Sequence, residues 1–354
     1  MQLRIRPFFL LFAFSNLIIG LLSGLGRLGW SVPLPEMYVH HGAIMVGGFL
    51  GSLIALEKVI PLKKYGFFAG PLISASSIVV FLFGEFQFAV MMLIAASLVL
   101  LIVYAAYLKT QYNLYLLLAM LGSMCWFIGN VLLLWKRFYP MAFPWWVGFL
   151  LFTIVSERLE LAKFLPVTRR NKNILVAFLG LFVLGIILPF HEAGTNIAGL
   201  SLVCISLWLM RHDVVRVTIK KEGLVRFTGV ALLCGYVALL LEGIFLIVLT
   251  EAPPGYDIVV HTFFLGFVFA MIFAHGPIIL PGILGLRVKP YHPLFYVPLG
   301  LLYISLAMRI AADVMMFPAT FRSLSGWVTT GSILLYFIMM ITSTARAIRN
   351  ATPD

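Results

Sequence analysis

Charged residues are scarce in this sequence. They make up 11% of its 354 residues, whereas hydrophobic residues make up 62%. Soluble domains carry about a quarter charged residues. The composition therefore excludes a soluble globular protein and indicates an integral membrane protein.

Cysteine and histidine are also rare. The three cysteines, Cys125, Cys204 and Cys234, lie far apart in apolar runs, so they offer neither metal-type spacing nor the CxxCH motif that attaches c-type haem. Between His41 and His191 the sequence contains no histidine at all. The few histidines that are present therefore carry most of the information about metal chemistry.

Long apolar runs fill the chain, each close to the ~20 residues that a helix needs to cross a bilayer. We predict twelve transmembrane helices in one polytopic domain, residues 1–354, with no soluble domain. Their predicted ranges are 8–30, 39–61, 66–84, 87–108, 113–135, 142–165, 173–190, 194–210, 224–250, 257–281, 293–312 and 325–347. The first run is interpreted as a helix and not as a cleaved signal, because it lacks a clear small-residue cleavage site.

The net charge of +12 follows from the bias of cytoplasmic loops toward Lys and Arg and does not indicate nucleic acid. With both termini in the cytoplasm, nineteen of the twenty-five Lys and Arg residues fall on the inner side. We therefore expect a bacterial-type inner membrane protein, multi-pass, with cytoplasmic termini. Predicted helices 2 and 10 then run from outside to inside.

Histidines begin both of these helices at the outer level. His40 and His41 open "HHGAIMVGG", and His261 opens "HTFFLGFVFAM". Two neutral imidazoles from separate helices can take both axial positions of a haem iron. Gly48, two turns below His41, would let a flat macrocycle approach, and Met45 could pack on its edge. The bland alternative is that the histidines meet water or lipid head groups, and spacing alone does not choose between His40 and His41.

These motifs resemble the catalytic subunit of the haem–copper oxidases, including nitric oxide reductases, and the NnrS-type membrane haem proteins. The resemblance covers the twelve-helix plan, the "HGAIM" of predicted helix 2 and the "VVHTFFLGFVFAM" of predicted helix 10. It implies an oxidase-like bundle with a low-spin haem b held by His41 and His261, and it makes His40 the alternative ligand. It also implies that outer arginines, Arg309 and Arg27, pair with the haem propionates.

The sequence departs from that family at the histidines that bind copper and the second haem. Predicted helices 6 and 7 contain no histidine, and predicted helix 10 lacks the paired histidines that would hold two haems. The standard oxygen-reducing centre is therefore not expected.

Charged residues recur toward the inner face. His275, Glu157 and Glu160 lie at a similar depth and could form a second metal site or a proton entry. The favoured interpretation is a salt-bridged cluster of Glu157, Arg158, Glu160 and Lys163. Glu242 stands alone in the apolar "ALLLEGIFLIV". We expect it to be protonated or hydrogen-bonded to a neighbour such as Tyr236 or to water, and a proton-relay or haem-adjacent role is one hypothesis.

The sequence thus predicts a membrane haem protein that acts in electron transfer or in the response to nitric oxide or another diatomic gas. A periplasmic electron-transfer partner would follow from the outer haem level, and the lipid bilayer is the expected environment. Two alternatives stay open: a proton-coupled secondary transporter of a small solute, and a membrane haem-handling protein.

Overall fold

The computed structural model describes residues 2–162, 165, 167–188, 193–249 and 255–351. Within this part of the chain the secondary structure is entirely helical, and twelve helices are long and apolar enough to cross a membrane. They are α1 Gln2–Arg27, α2 Pro35–Leu62, α3 Tyr65–Leu82, α4 Phe86–Thr110, α5 Leu114–Lys136, α6 Tyr139–Leu161, α7 Arg169–Ile187, α8 Ala193–His212, α9 Gly223–Val248, α10 Gly255–Ile283, α11 Pro293–Val314 and α12 Ala319–Ala351. The predicted number of helices is confirmed, and their ends differ from prediction by a few residues.

Two of the helices, α2 and α10, are not regular. In α2 a three-residue α-helical stretch, His41–Ala43, is followed by eight residues of π-helix, Ile44–Gly51. In α10 the α-helical stretch Gly255–His261 is likewise followed by eight residues of π-helix, Thr262–Phe269. π-Helical turns are rare and are frequently found at functional sites. The two helices that contain His41 and His261 therefore share a local structure that the apolar pattern did not reveal.

The chain divides into two compact units. Unit 1 comprises Met1–Ser156 with Ile283–Gly285, and unit 2 comprises Glu157–Gly282 with Leu286–Asp354. Unit 1 therefore contains α1 to α5 and most of α6, and unit 2 contains nearly all of α7 to α12.

Unit 1 is held by small residues facing aromatic ones. A Cβ atom at Gly129 would lie only 2.9 Å from the Trp146 indole, so the two helices approach closely at this glycine. The Trp146 Nε1–H donates to the Asn130 side-chain oxygen at 3.1 Å, and the Asn130 amide donates to the Leu93 carbonyl at 3.2 Å. Such bonds satisfy buried polar groups where water is absent.

Unit 2 contains a close glycine contact between α8 and α9. A Cβ atom at Gly199 would lie 2.5 Å from the Gly243 carbonyl oxygen, and one at Gly243 would lie 2.5 Å from the Gly199 carbonyl oxygen. Ser206 donates to the Tyr236 carbonyl at 2.6 Å on the same interface. Any larger side chain at either glycine would force the backbones apart.

Prolines occur inside α10, and the helix continues through them. Pro277 and Pro281 follow His275 by two and six residues, and the helix extends past both of them to Ile283. A proline deprives the carbonyl four residues earlier of its helical donor. The carbonyl left by Pro277 belongs to Phe273, and the Tyr336 hydroxyl of α12 donates to it at 2.9 Å. This replacement bond removes one reason for the helix to end.

Three helices are more deeply buried than the others, and they are every fourth helix along the chain. In α2, α6 and α10, 72% of the most apolar window is buried, against 28–56% in the other nine. Two of these three helices, α2 and α10, contain His41 and His261.

Candidate functional site

His41 is fixed by a bond to the neighbouring helix of unit 1. Its Nδ1 lies 2.7 Å from the carbonyl oxygen of Gly20 in α1. A carbonyl can only accept a hydrogen bond, so Nδ1 carries the hydrogen. In the neutral ring the lone pair is then on Nε2, which is the nitrogen that would bind a metal. A Cβ atom at Gly24 would lie 3.0 Å from the His41 Cε1 atom, so this glycine makes room for the ring.

The rest of the His41 face packs against α1. A Cβ atom at Gly20 would overlap the Met45 sulfur, and one at Gly48 would overlap the Asn16 side-chain oxygen. The sequence assigned Gly48 and Met45 to contact with a macrocycle. In the structure both residues have neighbours in α1, Met45 at Gly20 and Gly48 at Asn16.

The Asn16 side chain is firmly held. The Asn16 amide donates to the Phe12 carbonyl at 2.8 Å and to the Ala75 carbonyl of α3 at 2.9 Å. Asn16 is fully buried. The small size of Gly48 is therefore accounted for by the packing of α1, α2 and α3.

His40 has different surroundings from His41. Its ring stacks on Phe81 and Phe86, with centroids 4.8 and 5.4 Å away, and its Nδ1 lies 3.1 Å from the Tyr139 hydroxyl. A hydroxyl can donate or accept, so this contact does not select a tautomer. The adjacent histidines, which the spacing left equivalent, are thus distinguished by their partners.

His261 in unit 2 is also fixed through Nδ1. This atom lies 2.8 Å from the Asp257 carbonyl oxygen and 3.3 Å from the Asp257 carboxylate. Both are acceptors, so Nδ1 again carries the hydrogen and the lone pair is on Nε2. His212 and His275 make the same bond to the carbonyl four residues earlier, and what distinguishes His261 is the added carboxylate.

The Asp257 carboxylate is the centre of an ionic cluster from α10, α11 and α12. Arg309 binds it with two bonds, Nε at 2.6 Å and an Nη atom at 3.0 Å, and Arg322 contacts it at 2.9 Å. Arg322 also lies 3.1 Å from Asp313. Bidentate arginine–carboxylate pairs are among the strongest polar contacts in proteins.

The ionic cluster gives Arg309 a partner within the protein. Arg309, assigned from the resemblance to a propionate, is already paired with Asp257, the residue that holds His261. Arg27 is exposed at the end of α1. Asp257 and Arg322 were missed, although the spacing of four residues between Asp257 and His261 on one helix was a usable signal.

Three buried polar side chains, Arg158, Asp213 and Tyr236, lie close together in unit 2. The Tyr236 hydroxyl donates to the Asp213 carboxylate at 2.6 Å. Tyr236 was the expected partner of Glu242, and that expectation is wrong because its hydroxyl hydrogen goes to Asp213.

The predicted inner metal site stays a prediction. His275 lies close enough to Glu157 and Arg158 for electrostatic interaction with both side chains. Yet the described residues contain no group of three or more His, Cys, Asp or Glu side chains arranged to hold a metal ion. Lys163, assigned to the salt-bridged cluster with Glu160, lies outside the described residues, as does His191.

The sequence matches the family described as a domain of unknown function, DUF8744, over residues 6–345. The match covers nearly the whole chain, and the protein belongs to this family. Comparison with curated proteins and with solved structures gives no match.

Proposed function

We propose that this membrane protein binds one low-spin b-type haem near its outer face through the Nε2 atoms of His41 and His261. The observation that carries the proposal is the Nδ1 hydrogen bond of each histidine, 2.7 Å to Gly20 and 2.8 Å to Asp257. Metal-binding histidines almost always donate their other N–H in this way, which fixes the tautomer and the ring. The two ligands belong to different units, so the proposal rests on the surroundings of each histidine separately.

Two further observations support an oxidase-like scaffold. The histidine-bearing helices α2 and α10 are among the three most enclosed helices, at intervals of four along the chain. Both also have a π-helical segment beside the histidine. The sequences of α6 and α7 contain no histidine, so the proposal includes no standard copper centre.

The proposed activity follows from the coordination. A six-coordinate haem supplies electron transfer, and a haem that loses one histidine could bind nitric oxide or another diatomic gas. With both termini on the cytoplasmic side of a bacterial-type inner membrane, as the positive charges favour, the redox partner would be periplasmic.

The test is spectroscopy of protein purified from cells supplied with haem, in oxidised and dithionite-reduced states, with pyridine haemochrome quantification. We expect about one haem b per chain and a low-spin spectrum. His41→Ala and His261→Ala should each lose the low-spin spectrum, whereas His40→Ala should keep it. His292→Ala is the matched control, because His292 only caps the first turn of α11. Unchanged spectra in both ligand variants would overturn the proposal, and exchangeable, sub-stoichiometric haem would favour a haem-handling protein.

A proton-coupled transporter is the second candidate. Its support is the buried group of Arg158, Asp213 and Tyr236, because charged groups within a membrane protein commonly mark substrate or proton pathways. A colourless protein whose thermal stability rises with one small solute, and no longer does so in Arg158→Gln, would favour this function.

A further inference from the structure

Glu242 is buried without a hydrogen-bond partner. Its side chain is 0% exposed, and neither carboxyl oxygen has a hydrogen-bond partner among the described residues. An ionised carboxylate in such a place is costly unless something compensates it.

Thr262 is a second buried polar group without a partner. It is 0% exposed, and its hydroxyl has no hydrogen-bond partner within the described ranges. Thr262 opens the π-helical segment of α10 and follows His261 directly.

Contacts between α9 and α10 bring these two residues to the same level. A Cβ atom at Gly266 would lie 2.7 Å from the Ala238 Cβ, so these positions face each other. A Cβ atom at Gly235, one turn before Ala238, would lie 3.3 Å from Ala270, one turn after Gly266. The helices are therefore antiparallel, with a fixed register.

That register can be extended by one turn. Four residues beyond Ala238 on the same face of α9 is Glu242, and four residues before Gly266 on α10 is Thr262. The Glu242 carboxyl group and the Thr262 hydroxyl group therefore lie at the same level of the interface between α9 and α10.

We infer that Glu242 and Thr262 form a buried polar site that binds a water molecule and holds an exchangeable proton on the Glu242 carboxyl group. A buried water makes two to four hydrogen bonds and commonly satisfies polar groups that lack protein partners. The proton comes from bulk water and forms an O–H bond on one carboxyl oxygen, which removes the uncompensated charge. The site lies one residue along α10 from His261, but it does not depend on haem.

Infrared difference spectroscopy of the purified protein in H2O and D2O tests this inference. We expect the carbonyl stretching band of a protonated carboxylic acid, shifted to lower frequency in D2O. Glu242→Gln should lose that band, and Glu222→Gln, at an exposed position just before α9, should keep it. Absence of a Glu242-dependent band in the wild type would overturn the inference.

Three further variants test the shared site even where Glu242→Gln fails to fold. Glu242→Asp keeps a carboxyl group and should move the band without removing it. Thr262→Val should shift the band by removing a hydrogen-bonding group, and Thr262→Ser should restore its position. If the frequency of the band is the same in Thr262→Val as in the wild type, the shared site is contradicted. The same spectra can be recorded on haem-free protein, so failure of the haem proposal would be seen separately.

Discussion

The histidines of α2 and α10 have the same hydrogen-bond geometry, but different kinds of contact hold them in place. In each, a histidine donates from Nδ1 to a backbone carbonyl, and eight residues of π-helix follow. His41 is held by uncharged groups of α1, where Gly20 supplies the acceptor and Gly24 the space. His261 is held within its own helix, by a carboxylate that two arginines bind.

The same histidine geometry is therefore obtained with two different kinds of hydrogen-bond acceptor. A backbone acceptor fixes the tautomer without charge and is insensitive to salt. A carboxylate also makes the imidazole more basic, but it must itself be compensated, and Arg309 and Arg322 provide that compensation. Substitutions should therefore have large electrostatic effects around α10 and mainly steric ones around α2.

The largest expected effect is from Arg309→Leu. It removes the bidentate partner of Asp257 and leaves the carboxylate with His261 and with Arg322, which is 39% exposed, so we expect a loss of about 2–4 kcal/mol in the free energy of unfolding. Chemical denaturation in detergent micelles would measure it. Arg322→Leu is the matched control and should cost less, and equal losses would show that the bidentate pair is not the dominant contact.

A steric effect of intermediate size is expected from Gly48→Ala in α2. The new methyl group would overlap the Asn16 side-chain oxygen and disturb its two bonds, at a cost of about 1–3 kcal/mol. Gly180→Ala is the control, since a Cβ atom there meets nothing within 4 Å and should be neutral or stabilising by up to about 1 kcal/mol. Similar denaturation midpoints for the two variants would argue against the Asn16 contact.

The smallest effect is expected from Tyr336→Phe, which removes the donor to the Phe273 carbonyl in α10. We expect a loss of about 1 kcal/mol. In a Pro277→Ala background the helix supplies its own donor, so the same substitution should cost less. A double-mutant cycle from unfolding measurements checks this coupling, and strictly additive effects would refute it.

The sequence predicted the membrane class and the twelve helices because apolar runs of about twenty residues are typical of helices that cross a bilayer. It did not predict the π-helical segments, since their hydrophobic pattern resembles that of any buried helix. It also could not show that Gly48 receives Asn16 or that Arg309 pairs with Asp257. Those contacts join residues far apart in the chain, and a glycine or an arginine alone does not indicate its partner.

Near-infrared magnetic circular dichroism of the oxidised, haem-loaded protein tests the central claim most directly. The energy of the iron charge-transfer band distinguishes two imidazole ligands from imidazole with methionine or water. Our account predicts the signature of two imidazoles, lost in both His41→Ala and His261→Ala. A signature of any other ligand pair in the wild type, or a protein that takes up no haem, would contradict it.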